Sequence, residues 1–155
     1  MKRIALFIVL SLCGTASRAS PDITFHGFLT EPPTCVVSGG KTIEVQFVDV
    51  VIDDISGENY KQQVPYSVTC DADNTDSSIK MMLTWKGAQT DFNDAAVQTD
   101  VTGLGVEFQQ GGQRFRQNVP LEISKDNLPT LYAVLVKKSG VELTEGDFEA
   151  YATLQ

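Results

Sequence analysis

The chain has 155 residues, enough for one domain with a single core. Twelve basic residues stand against 20 acidic ones, a formal charge of −8, which argues against nucleic acid and anionic membrane surfaces as partners. The one His and three Cys fall at unrelated spacings and supply no metal-ligand cluster.

The N-terminus reads as an export signal. Lys2 and Arg3 form a basic start, Ile4 to Leu12 an apolar run, and Ser17-Arg18-Ala19 a small-x-small cleavage site. The apolar run is too short for a membrane span. Cys13 does not make a lipoprotein site, because the bulky Leu12 precedes it where a small residue is needed. Cleavage after Ala19 takes three of the 12 basic residues and none of the 20 acidic ones, leaving nine against 20, or −11. It also leaves two cysteines, Cys35 and Cys70. An even pair in an exported chain reads as one disulfide, with a free pair or a metal site as the alternatives.

Beyond the leader the dominant period is two, the mark of strands with one apolar face. Ile23, Phe25, Gly27 and Leu29 alternate with Thr24, His26, Phe28 and Thr30, and Pro32-Pro33 sets this arm off from Cys35. Ile43, Val45 and Phe47 follow after Ser38-Gly39-Gly40. Val64, Tyr66, Val68 and Cys70 come after the turn Ser56 to Asn59. An acidic turn, Asp71 to Ser78, precedes Ile79, Met81, Leu83 and Trp85, and the alternation places Trp85 in the core. Residues 87–102 are rich in Asp, Thr, Asn and Gln and read as a long surface loop with at most a short strand. Val106 and Phe108, a hairpin turn at Gly111-Gly112, Leu121 and Ile123, and Leu131, Ala133 and Leu135 extend the pattern. Phe148, Ala150, Ala152 and Leu154 close it. Several short strands punctuated by turn-formers indicate an antiparallel sandwich.

Chemistry is thinly supplied. His26, the only His, alternates outward from the arm's apolar face, and no Ser or Cys sits in a nucleophile elbow. The acidic clusters Asp53-Asp54 and Asp71 to Asp76 lack the glycine and distal glutamate of a calcium loop. The sequence therefore offers no catalytic residue, no metal site and no cofactor, and reads as a structural or interaction module rather than an enzyme.

Four stretches together resemble the pilus subunits of the chaperone–usher pathway. They are Ile23 to Leu29 followed by Cys35; Ile43 to Val50, with Val48 where that family has glycine; Tyr60 to Cys70; and Gly146 to Leu154. The resemblance implies an all-β, incomplete immunoglobulin-like sandwich that lacks its final strand, preceded by an N-terminal donor strand. It divides the chain into a cleaved signal peptide (1–19), a donor-strand extension (20–31) and a pilin domain (32–155). It implies that Ile23, Phe25, Gly27 and Leu29 enter a neighbouring subunit, and that Phe148, Ala150, Ala152 and Leu154 form the edge of the groove that a chaperone strand occupies first. The implied partners are a periplasmic pilus chaperone, an outer-membrane usher and neighbouring pilus subunits. The implied role is that of a minor structural subunit of a surface pilus supporting adhesion, exported through the periplasm. The chain stops at Thr153-Leu154-Gln155, short of the penultimate aromatic usual in that family. The competing expectation is a secreted single-domain carbohydrate-binding adhesin, with Trp85 as its obvious sugar platform.

Overall fold

A computed structural model describes residues 23–29, 31–71 and 80–155. The apolar leader, the cleavage site and most of the acidic turn at 71–78 lie outside these residues. The chain divides into two units after Thr30. In the first, residues 23–29 are exposed and belong to no strand, with Phe25 88% and Leu29 98% exposed.

Among the described residues, the second unit, 31–155, holds eleven strands. They are β1 (Cys35–Val37), β2 (Lys61–Gln63), β3 (Val68–Cys70), β4 (Met81–Leu83), β5 (Trp85–Gly87), β6 (Ala96–Gln98), β7 (Leu104–Gln110), β8 (Gln113–Arg114), β9 (Leu121–Ile123), β10 (Leu131–Lys137) and β11 (Ala152–Leu154). All pairings are antiparallel. The largest sheet runs β2-β10-β7-β6, with β8 also paired to β7. β7 and β8 are joined by Gly111 and Gly112, both at positive φ (58° and 77°), as a two-residue hairpin with matching twist requires. Opposite lies the run from Met81 to Gly87, whose first half pairs with β9 and second half with β11.

The two layers meet through Trp85 of β5, stacked on Phe108 of β7 with centroids 4.4 Å apart. Trp85 is completely buried, and its indole N–H donates to the Phe115 carbonyl at 2.7 Å, which satisfies its one polar group. Leu83, Val97, Leu131, Val134 and Leu135 complete the most deeply buried set of large side chains. Cys35 and Cys70 are disulfide-bonded across the β1–β3 ladder, where they are directly opposite each other.

The polar stretch 87–102 is not a surface loop. It contains β6, and Thr90, Asn93, Ala95, Ala96, Val97 and Thr99 are all buried. Its polar side chains find partners within the fold. Thr90 Oγ1 donates to the Asn93 carbonyl (2.8 Å), Asn93 Nδ2 donates to Glu107 Oε2 (2.6 Å), and Thr99 Oγ1 bonds the carbonyls of Val101 and Leu104. Polar groups bonded in this way are buried without the usual desolvation cost.

Candidate functional site

Strand alternation gives β7 and β10 two different faces. Val106, Phe108, Leu131, Ala133 and Leu135 point into the core, and Val106, Phe108 and Ala133 also form part of the floor of an open groove of about 940 Å³. One rim of the groove is residues 41–47 and the other is residues 148–154. Each rim is seven residues long, a span of roughly 23 Å when extended, which matches one β-strand.

The first rim has the burial pattern of a strand without being one. Ile43, Val45 and Phe47 are half-buried against the core, while Thr42, Glu44 and Gln46 are exposed. Yet among the described residues, no backbone hydrogen bond involves 42–48. The second rim is paired on one side only. Ala152–Leu154 ladders with β5, Ala150 bridges to Thr99, and the Glu149 carbonyl accepts from the Asp100 amide at 3.1 Å. Phe148, Ala150 and Leu154 pack on the core, whereas Ala152, though it lines the groove, is exposed. Phe47 and Phe148, with ring centroids 6.0 Å apart, close the end where the two rims meet.

The groove therefore presents two unpaired backbone edges over an apolar floor. An inserted strand would hydrogen-bond to the rims and bury alternate side chains against Val106, Phe108 and Ala133. Left open, such edges favour association. On the outer face of the second rim, Tyr151 is 76% exposed and donates to Glu149 Oε2 at 2.6 Å. That hydrogen bond and the negative charge of Glu149 raise the pKa of the phenol.

Of the residues singled out from the sequence, Phe148, Ala150, Ala152 and Leu154 come together on one rim, and Cys35 and Cys70 are bonded. Ile23, Phe25, Gly27 and Leu29 lie in the N-terminal unit. Residues 41–47 form the other rim of the groove, a position that their sequence alone does not indicate. Their alternation was legible; their lack of a partner was not. Trp85, entirely buried, offers no sugar platform. Among the described residues no group of three His, Cys, Asp or Glu side chains is placed to hold a metal ion, and no helix is long and apolar enough to cross a membrane.

A sandwich with a strand-sized gap between its edges is the fold of pilus subunits, and comparison with known proteins agrees. The fimbrial protein family model matches residues 23–155, and the chain belongs to that family. It is 49% identical to the fimbrial-like protein YfcQ of Escherichia coli (strain K12), over all of this chain and 98% of that protein. It is 28% identical to YfcR of the same organism, over 95% of this chain and 88% of that protein. Among solved structures it resembles the P pilus rod subunit PapA (TM-score 0.58, 19% identity, 86% of this chain and 97% of that one). It also resembles the P pilus adaptor subunit PapF (TM-score 0.56, 19% identity, 80% and 93%). The family is one of structural subunits rather than of enzymes.

Proposed function

We propose that this chain is a minor structural subunit of a surface pilus, assembled by donor-strand exchange and supporting adhesion. The observation that carries the reading is the groove between residues 41–47 and 148–154, with an apolar floor and two unpaired backbone edges. In this reading the signal peptide is removed after Ala19. A periplasmic chaperone fills the groove first, with Phe148, Ala150, Ala152 and Leu154 as its docking edge. An outer-membrane usher then exchanges that strand for the N-terminal arm of the next subunit. The arm of this chain does the same for its neighbour through Ile23, Phe25, Gly27 and Leu29. Exposed apolar side chains at 23–29, outside any strand, support a segment whose apolar face is covered by a partner.

Co-expression with a candidate periplasmic chaperone tests this. The expected result is a one-to-one complex, with aggregation when the mature chain is made alone. A monodisperse monomer that melts cooperatively without any added strand would overturn the proposal.

A further inference from the structure

The faces of β7 and β10 opposite the groove floor a second cleft of about 1310 Å³. It is polar where the groove is apolar. Glu107 and Gln109 of β7 rise into it from below, and Arg114 and Arg116 border it. Lys61 and Lys137 also line it, so that four of the nine basic residues outside the signal sequence gather here. Facing them are Glu58, Glu107 and, beside Arg116, Asp94. A surplus of cations in one cleft of a chain with charge −8 is a local reversal of sign.

The arginines are held in place. Phe115 between them is buried, its N–H donates to the Phe108 carbonyl at 2.8 Å, and its own carbonyl accepts from Trp85. Alternation then turns Arg114 and Arg116 to the same side. Arg114 is tethered by Nε to the buried Glu107 carboxylate (3.1 Å), which also accepts from Asn93 and Gln109. Arg116 is tethered by Nε to Asp94 (2.9 Å). Both side chains nevertheless remain more than 60% exposed. Gln110 and Gln113 border the same cleft and make no side-chain hydrogen bond among the described residues. Phe92, half-buried, supplies an apolar surface.

We propose that this cleft binds an acidic saccharide. The guanidinium groups of Arg114 and Arg116 take the sugar carboxylate, a planar anion that suits their fork geometry. The amides of Gln110 and Gln113 both donate and accept, as vicinal hydroxyls require. Phe92 offers a ring face to a pyranose. The floor disfavours an extended acidic peptide. β10 is paired on both sides by β2 and β7, and β7 by β10 and by β6 and β8, so neither strand of the floor offers an edge to which a peptide could add. The site does not depend on the donor-strand reading, because it lies on the opposite face of the same strands.

The test is calorimetric titration of the full exported chain, in the complex in which it is isolated from the periplasm. The titrants are 3′-sialyllactose and a hyaluronan hexasaccharide, with lactose and hexaglutamate as controls. Saturable binding of at least one acidic saccharide is expected, without binding of lactose. Arg116→Gln, on the cleft's exposed border, should weaken it about tenfold or more. Lys80→Gln, an exposed cation outside the cleft, should leave it unchanged. Melting curves verify that each variant is folded, and Arg116→Gln serves even if Arg114→Gln, which strands the buried Glu107, is not. The proposal is overturned if neither acidic saccharide binds or if lactose binds as well. Equal affinity for hexaglutamate, or no effect of Arg116→Gln, would overturn it too.

Discussion

Replacing both Cys35 and Cys70 by serine should destabilise the domain mainly through its unfolded state. The two residues are 35 positions apart, and closing a loop of that length removes denatured-state entropy worth roughly 4 kcal/mol in the chain-entropy model. Little packing is lost alongside, because Cys35 is exposed, Cys70 half-buried, and the β1–β3 ladder they join has only three residue pairs. Domains of this kind hold about 5–15 kcal/mol in total, so the loss is a large share of the whole. Equilibrium urea unfolding of the two proteins, each with its groove filled by the same added donor-strand peptide, measures it. The midpoint should fall, and the slope should rise, because an uncrosslinked denatured chain exposes more surface. A loss below about 1 kcal/mol would refute the entropic account, since that account predicts roughly 4. Two reactive thiols in the folded, unreduced protein would refute the bond itself.

Three further outcomes follow from particular contacts. Gly27→Leu should leave the melting of this subunit unchanged in complex with its chaperone but block its polymerisation, since overfilling a fitted groove costs about 1–3 kcal/mol; normal fibre growth by the mutant would remove Gly27 from the donor strand. Gly105→Ala should destabilise the domain by about 1–3 kcal/mol in urea melts, because the added Cβ would meet Thr90 Cγ2 at 2.8 Å and the Val97 carbonyl at 3.2 Å. Tyr66 donates to the Pro129 carbonyl at 2.6 Å, and burial raises its pKa. The folded state thus holds that proton more tightly, so the contribution is intact below about pH 10 and is lost as pH rises through the raised folded value. Tyr66→Phe should cost about 1 kcal/mol at neutral pH and flatten the alkaline fall in melting temperature.

Alternation in the sequence reported which side chains turn inward, and it did so well. Trp85, Leu83, Leu131 and Leu135 are all fully buried, and Gly111-Gly112 makes the hairpin its composition indicates. Alternation is silent on whether a backbone has a neighbour. Ile43, Val45 and Phe47 alternate as strongly as Val106 and Phe108, yet only the latter pair lies in a hydrogen-bonded strand. The groove exists because of that difference, so its floor and its C-terminal rim were readable while its other rim was not.

The polar stretch 87–102 is partly buried, against its composition, for a related reason, and the cause bears on function. Composition predicts exposure only for polar groups that lack internal partners. Glu107 sits on the outer face of β7, 3% exposed, where a polar group without hydrogen-bond partners is costly to bury. Asn93 donates to it, and Asn93 is itself fixed by the turn in which Thr90 Oγ1 accepts from the Asn93 amide and Asn93 Oδ1 accepts from the Ala95 amide. Through Asn93 the stretch furnishes one donor to a buried acid, and that acid in turn pairs with Arg114. Asn93→Ala would remove a donor from Glu107 without touching the groove on the other face of the sheet. It should cost about 1–3 kcal/mol of stability, and, by loosening Arg114, it should also weaken saccharide binding while polymerisation proceeds. Loss of polymerisation with binding intact would show that the two faces are not divided in this way.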